Sequence, residues 1–234
     1  MNNNYNIIWS RVGNFNKYLN RFKKKNNINF LEIGSFEGFS TNYFLDNFLD
    51  GDKCFITCID PFIKYSEATE NLITRVDNYI NSNTYNKFLQ NTMKNKERII
   101  LYKGYSQNIL PQLKTKFHFI YIDGDHSSSA VYSDAIKSFE LLLIDGIMIF
   151  DDYLWGVDKK LIIAIFGKIF INRYPKNIFE RYIKELKNLL SRVYRKKYHD
   201  SLPKKAIDKF LFEYKEKIDI LHINEQVVIK KIKH

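Results

Sequence analysis

Apolar runs that stop at glycine or aspartate alternate along this chain with stretches of helical periodicity. Five runs have the character of strands, namely INFLEI (28–33), CFITCID (54–60), RIILYKG (98–104), FHFIYID (117–123) and GIMIFDD (146–152). They are almost continuously apolar, which is typical of strands buried on both faces of a sheet. The helical segments between them favour crossover connections. The pattern therefore predicts an α/β fold whose mostly parallel sheet is covered by helices on both faces.

Both ends of the chain extend this single domain of residues 1–234. An apolar stripe at helical spacing predicts an amphipathic helix over residues 6–23. Near the C-terminus, IDILHI and QVVIKKI are separated by NE, which predicts two strands joined by a tight hairpin. An antiparallel strand is commonly found at the edge of such a mixed sheet.

Small or acidic residues stand where the five predicted strands end. These residues are Gly34, Asp60, Gly104, Asp123 and Asp151. Ligands of open α/β sheets bind outside the carboxyl ends of the strands. We therefore expect a binding site at this one edge of the sheet, called the carboxyl edge below.

The first two strand ends carry features of a nucleoside site. In LEIGSFEGFS, Gly34 and Gly38 allow a ligand to approach the backbone, and the next helix offers free N–H groups. The spacing differs from G-x-G-x-x-G, which disfavours a dinucleotide. An acidic residue such as Asp60 is able to bind ribose hydroxyls. The alternatives are a tight packing turn and, for Asp60, a helix cap.

The last two parallel strands end in carboxylates. Asp123 and Asp125 lie in YIDGDHS beside His126, and Asp151 and Asp152 lie in MIFDDYLW. Carboxylates from neighbouring strand ends suit a hard divalent cation, and histidine suits proton transfer near neutral pH. The alternatives are that the aspartate pair caps a helix near Leu154 and that the histidine is a polar turn residue. Asp134 is expected on a solvated helix face, with no role.

Together with KGYSQNILPQL and IDPF, these motifs resemble class I S-adenosylmethionine-dependent methyltransferases. The metal-dependent O-methyltransferases of the catechol and macrolide-sugar type are the nearer match, over residues 28–155 and 202–232. The resemblance implies a Rossmann-like sheet of seven strands with the last one antiparallel. It also implies S-adenosylmethionine and a divalent cation as cofactors, with Mg²⁺ first and Ca²⁺ or Mn²⁺ as further candidates.

The resemblance also implies a role for each matching residue. The metal ligands would be Asp123, Asp151 and Asp152, and the catalytic residues His126 and Asp123. His126 replaces the lysine base of the catechol enzymes, and Asp152 replaces their asparagine; both agree with the sugar enzymes. The cofactor would contact Glu32, Gly34, Ser35, Gly38, Ser40, Asp60, Gly104, Tyr105, Ser106, Asp123 and Asp125.

Composition adds a strongly basic C-terminal part. The formal charge is +11, and residues 1–155 contribute none of it because their acidic and basic side chains are equal in number. A basic helical insertion is predicted over residues 156–202. It could be a solvated helix pair, a lid, a contact of a homo-oligomer, or a contact with an anionic surface such as a membrane.

No signal peptide or spanning segment is recognisable, so a cytoplasmic protein, peripheral to a membrane at most, is expected. Cys54 and Cys58 are expected to pack in the core.

These observations lead to one expected function and two alternatives. The expectation is metal-assisted methyl transfer to a hydroxyl of a sugar, glycan or small molecule. An RNA ribose 2′-O-methyltransferase is one alternative, supported by the C-terminal charge. The other is a non-catalytic binding subunit with the same fold. The absence of an N-P-P-Y or D-P-P-Y motif after the fourth strand disfavours amino-group acceptors.

Overall fold

The structure is a computed structural model that describes residues 12–63, 83–155 and 202–234. Within these residues it contains one sheet of seven strands, in the order β3-β2-β1-β4-β5-β7-β6. The strands are β1 (Asn29–Ile33), β2 (Phe55–Asp60), β3 (Ile99–Lys103), β4 (Phe117–Ile122), β5 (Leu142–Phe150), β6 (Ile218–Ile223) and β7 (Val227–Lys231). The first five are parallel, and β7 is antiparallel to both β5 and β6. The predicted seven-stranded Rossmann-like sheet is confirmed.

Six α-helices are described around this sheet. They are α1 (Val12–Leu19), α2 (Phe39–Asn47), α3 (Thr84–Thr92), α4 (Ser106–Ile109), α5 (Ser128–Leu141) and α6 (Pro203–Glu213). Short 3₁₀ segments follow α1, α3 and α4 at Asn20–Phe22, Met93–Arg98 and Leu110–Gln112. The predicted N-terminal helix is described only from Val12 onward.

The helices bury two apolar layers, one on each face of the sheet. Phe139 of α5 and Phe210 of α6 belong to the layer on one face. Phe15 of α1 and Phe44 of α2 belong to the layer on the other. Cys54 and Cys58 are buried in this second layer, as predicted. Helices on both faces explain why the parallel strands are apolar in nearly every position.

The order of the strands fixes the position of the carboxyl edge. The chain runs outward from β1 to β2 and β3 on one side, and then returns to β4 and β5 on the other. The carboxyl ends of β1 and β4 therefore border the point where the connections change direction, which is where such sheets bind ligands.

One boundary differs from prediction, and the predicted basic insertion lies outside the described residues. Strand β5 starts at Leu142 directly after α5, whereas the predicted strand began at Gly146. Residues 64–82 and the basic insertion, apart from Leu202, are outside the described part. Among the described helices, none is long and apolar enough to span a bilayer.

Candidate active site

Backbone hydrogen bonds bring the predicted strand ends together at the carboxyl edge. The N–H of Gly34 donates to Ile59 at 2.9 Å, and the N–H of Asp123 donates to Ile33 at 2.8 Å. The N–H of Asp151 donates to Ile122 at 3.0 Å. The ends of β2, β1, β4 and β5 are therefore neighbours in that order, and their side chains share one site.

The turn after β1 requires glycine. Gly34 has φ +88° and Gly38 has φ +85°, a backbone region that L side chains rarely adopt. A Cβ atom on Gly34 would lie 2.0 Å from the carbonyl oxygen of Asp123. The chain after β4 thus passes directly against this turn. The predicted approach of a ligand to this turn stays a prediction, because the neighbouring chain by itself requires glycine at position 34.

Glu32 stabilises the turn through hydrogen bonds with the start of α2. Its buried carboxylate accepts hydrogen bonds from the hydroxyls of Ser40 and Thr41 at the start of α2, and the Cys58 thiol lies 3.5 Å from Oε2. Burial raises the pKa of Glu32, although these hydrogen bonds oppose the rise. Glu32 and Ser40 therefore fix the turn to the second apolar layer.

Asp60 holds the same turn from the end of β2. Its Oδ2 accepts from the N–H groups of Ser35 and Phe36, each at 2.9 Å, and its Oδ1 accepts from Phe62 at 2.6 Å. Burial raises the pKa of Asp60, and the three backbone donors lower it. In the structure, Asp60 orders the loops of the site through these three hydrogen bonds. Its contact with a ribose stays a prediction.

A cavity opens between this turn and the loops after β3 and β4. It is lined by Ile33, Gly34, Ile59, Pro61, Tyr105, Ser106, Gln107, Gly124, Asp125, Ala130 and Asp134. Four of these, Gly34, Tyr105, Ser106 and Asp125, belong to the predicted cofactor site. Asp125 also receives the N–H of Ser127 at 2.7 Å, which shapes the start of α5. Gly104 lies at the end of β3, where its N–H donates to the carbonyl of Asp60 at 3.0 Å.

Asp134 contradicts its predicted position on a solvated helix face. It is 1% exposed and accepts the hydroxyl proton of Ser106 at 2.6 Å. Burial raises its pKa to about 6, with Ser106 opposing and the charge of Asp125 adding to the rise. The overlooked signal is the run of small residues around it, because Ala130 and Ser138 stand four positions away on the same helix face.

Three potential metal ligands converge beside the cavity. Asp123, His126 and Asp152 each offer an atom within 4.8 Å of the other two. His126 Nε2 lies 2.9 Å from Asp152 Oδ2 and 3.9 Å from Asp123 Oδ1. Burial, followed by the negative charges of Asp151 and Asp152, raises the pKa of Asp123 well above its usual range. Such a cluster is electrostatically suited to a cation.

Asp151 lies next to this group but faces the interior. Its carboxylate is buried and accepts hydrogen bonds from the hydroxyl of Tyr121 and from the N–H of Asp152. Tyr121 also lies 2.9 Å from Asp123 Oδ2, so it bridges the two carboxylates. Strand periodicity could have revealed Tyr121, since it stands two positions before Asp123 and hence on the same face of β4.

Trp155 was not predicted and contacts the histidine directly. The rings of His126 and Trp155 are stacked, with centroids 5.0 Å apart and an interplanar angle of 18°. The N–H of Trp155 donates to the carbonyl of Asp152 at 2.8 Å. This turn holds the indole against one face of the imidazole while Nε2 faces the carboxylates.

With this geometry in place, comparison with known proteins identifies the family. Residues 31–153 match the family model described as "Methyltransferase domain", which is more than half of the chain. The chain belongs to this methyltransferase family. The matched range begins in β1 and ends after β5, so it contains every residue of the predicted site. Comparison with the sequences of curated proteins gives no match.

Solved structures share the methyltransferase fold at low sequence identity. A candidate rRNA methylase from Clostridium thermocellum aligns with TM-score 0.57 and 13% identity, over 97% of this chain and 99% of the other. A candidate caffeoyl-CoA O-methyltransferase from Staphylococcus aureus gives 0.55 and 17%, over 97% and 85%. The MycE methyltransferase of mycinamycin biosynthesis, solved with Mg, SAH and mycinamycin VI, gives 0.51 and 14%, over 94% and 49%. At these identities the likeness concerns the fold alone.

Proposed function

We propose that this methyltransferase transfers the methyl group of S-adenosylmethionine to a hydroxyl group, with the help of a divalent cation. The convergence of Asp123, His126 and Asp152 at the carboxyl edge carries the proposal. Acidic ligands and a potential base lie beside a turn that has no room for a side chain at Gly34. An amino-group methyltransferase would have little use for this arrangement, because amines are nucleophilic without a Lewis acid.

The cavity is the proposed place for the nucleoside part of the cofactor. The turn at Gly34–Gly38 would hold the amino-acid end, as the resemblance implies, while Asp60 adjoins the ribose. Tyr105 and Ser106 line the cavity at the end of β3, where the adenine ring is expected. Gly34 lets the chain after β4 pass against the turn, which places Asp123 and Asp125 beside this end of the cavity.

The residues present fit a hard cation. Mg²⁺ prefers oxygen ligands, which Asp123 and Asp152 supply. Burial raises the pKa of Asp123 most, and the negative charges of Asp151 and Asp152 add to the rise; a cation would relieve the repulsion among these carboxylates. A cation bound there would lower the pKa of an acceptor hydroxyl and orient it. Asp151 would support the site by fixing Tyr121 and the backbone of Asp152, or by joining the ligands directly.

His126 is the proposed proton acceptor. Imidazole nitrogen is a poor ligand for Mg²⁺, which leaves the ring available for proton transfer. Its Nε2 lies 2.9 Å from Asp152 Oδ2, and its ring centroid lies 5.0 Å from that of Trp155. These two contacts hold the ring in place. The ring remains partly exposed, so an incoming hydroxyl can reach it.

A hydroxyl of a sugar, glycan or small molecule is the proposed acceptor. The histidine and the aspartate pair agree with the sugar enzymes in the resemblance described above. MycE, which shares the fold, was solved with Mg, SAH and mycinamycin VI. This chain spans about half the length of MycE, so the acceptor site of that protein is not carried over.

Methyl transfer from labelled S-adenosylmethionine to a panel of sugars, glycans and small alcohols tests the proposal. We expect activity that disappears in EDTA and returns with Mg²⁺. His126→Gln should retain cofactor binding and lose turnover. Full activity in EDTA would remove the cation from the mechanism, and a protein that binds no S-adenosylhomocysteine would contradict the function as a whole.

Methylation of RNA ribose is the second candidate. It is supported by the basic excess in residues 156–234 and by the fold of the candidate rRNA methylase, which aligns over nearly the full length of both chains. This candidate predicts RNA binding that weakens steeply with salt, because lysine and arginine displace counterions from phosphates. Salt-independent activity on sugars without RNA binding would exclude it.

A further inference from the structure

Asp134 places a buried carboxylate at the side of the cavity. The residue lies on α5 and is 1% exposed, and its Oδ1 accepts the Ser106 hydroxyl proton at 2.6 Å. Both residues line the cavity together with Tyr105 and Asp125. Burying a carboxylate carries a large desolvation cost, whereas a serine or an alanine could pack α4 against α5 without it. A role toward a ligand would account for the carboxylate.

The hydrogen bond between Ser106 and Asp134 fixes which groups the cavity presents. A serine hydroxyl has one proton and two lone pairs, and here the proton is directed to Asp134. The hydroxyl oxygen of Ser106 is therefore left as an acceptor. An ionised carboxylate likewise only accepts hydrogen bonds. This side of the cavity thus favours a donor, such as an amino group, and disfavours a carbonyl.

We propose that Asp134, acting through Ser106, makes the cofactor site selective for the 6-amino group of adenine over the 6-oxo group of hypoxanthine. Asp134 is then a positioning residue for cofactor recognition. The inference rests on the proposed use of an adenosyl cofactor. A pKa of about 6 agrees with it, since the carboxylate is ionised at neutral pH.

The test compares the affinities for S-adenosylhomocysteine and for S-inosylhomocysteine, its deaminated analogue, by isothermal titration at about pH 8. Wild-type protein should bind the adenine form more tightly by more than about tenfold. The 6-amino group donates to the acceptors of the cavity, whereas the 6-oxo group is itself an acceptor and leaves them without a partner. Asp134→Asn adds an N–H₂ donor, and Ser106→Ala removes the oriented hydroxyl. Both should reduce the preference to within about threefold.

Ser138→Ala is the matched control. Ser138 lies on the same face of α5 and is fully buried, but its hydroxyl donates to the backbone carbonyl of Asp134 and is not among the cavity-lining groups. This variant should keep the wild-type preference. Thermal unfolding of each variant establishes that the compared proteins are folded.

Two results would overturn the inference, and they are distinguishable. If Asp134→Asn and Ser106→Ala keep the wild-type preference, the pair only joins α4 to α5, and the proposed function survives. If the wild-type protein binds neither nucleoside, the proposed function fails together with the inference.

Discussion

Gly34 is the residue whose replacement should damage the site most directly. A methyl group there would meet the carbonyl of Asp123 at 2.0 Å, and the backbone has φ +88°. We expect Gly34→Ala to lower the free energy of unfolding by about 2 kcal/mol or more, from clash and backbone strain together. Urea unfolding measures this change.

Gly13→Ala is the control for that substitution. Gly13 lies in α1, and a Cβ atom there would have no neighbour within 4 Å. Alanine in a helix should leave stability unchanged or raise it by about 0.4–1 kcal/mol. Equal effects of the two substitutions would contradict the close approach of the chain after β4 to the turn.

Asp134 should make stability depend on pH in a defined window. Burial raises its pKa to about 6 from 3.8, so the folded protein holds this proton more tightly than the unfolded chain does. Its contribution to stability is complete below pH 3.8 and is lost as the pH rises through about 6. Asp134→Asn does not titrate. Relative to this variant, the wild-type protein should lose up to about 3 kcal/mol between those limits.

Measuring the free energy of unfolding of both proteins from about pH 4 to pH 7 tests this sign. The difference between the proteins isolates Asp134 from the other buried acids, such as Glu32 and Asp60, whose pKa values are also raised. A constant difference across the range would show that Asp134 titrates normally.

At the residue scale, sequence located the acidic cluster but missed how its members are held. Asp123, His126 and Asp152 were predictable because strand ends carry the ligands of this kind of sheet. The burial of Asp134 was missed, since an aspartate on a helix is usually solvated and the small residues Ala130 and Ser138 on its helix face were overlooked. Tyr121, whose hydroxyl bridges Asp123 and Asp151, was not predicted to take part in the site.

At the scale of elements, Lys231 joins β7 to the end of α5. The side chain is 2% exposed, and its Nζ donates to the carbonyls of Phe139 at 3.0 Å and Leu142 at 2.9 Å. Burial lowers the pKa of Lys231. Lys231→Met keeps the apolar part of the side chain but leaves two buried carbonyls without this donor. We expect a loss of about 1–3 kcal/mol in the free energy of unfolding.

Lys230→Met is the matched control on the same strand. Lys230 is partly exposed and forms ion pairs with Asp145 at 3.7 Å and Asp219 at 3.4 Å. Exposed pairs of this kind contribute about 0–1 kcal/mol. If Lys230→Met lowers the free energy of unfolding as much as Lys231→Met does, the loss of a positive charge explains the effect, and the hydrogen bonds of Lys231 to the two carbonyls do not.

Elements were predicted more reliably than their junctions. The apolar runs located β1 to β4 within one residue at each end, because strands buried on both faces have little freedom in composition. The hairpin of β6 and β7 was predicted from two short alternating runs around Asn224 and Glu225. The start of β5 at Leu142 was missed, since a leucine run suits a helix end and a buried strand equally well.

At the scale of the whole molecule, the apolar core and the proposed active site occupy different parts of the fold. Two apolar layers cover the faces of the sheet, while the acidic cluster and the cavity both lie at the carboxyl edge. The ends of the five parallel strands contribute to that edge, so its geometry depends on the register of the entire parallel part. The sequence could predict this edge because the alternation of strands and helices fixes where parallel strands end.

Binding of Mn²⁺, followed by electron paramagnetic resonance in saturating S-adenosylhomocysteine, tests the central claim that the acidic cluster holds a cation. Asp145→Asn is the control, because Asp145 and Asp152 are both aspartates with positive φ, 62° and 51°, and Asp145 lies away from the cluster. We predict one bound ion in the wild-type protein and in Asp145→Asn, with affinity at least about tenfold weaker in Asp123→Asn and Asp152→Asn. Equal binding by all four proteins, or no binding by the wild type, would contradict the account.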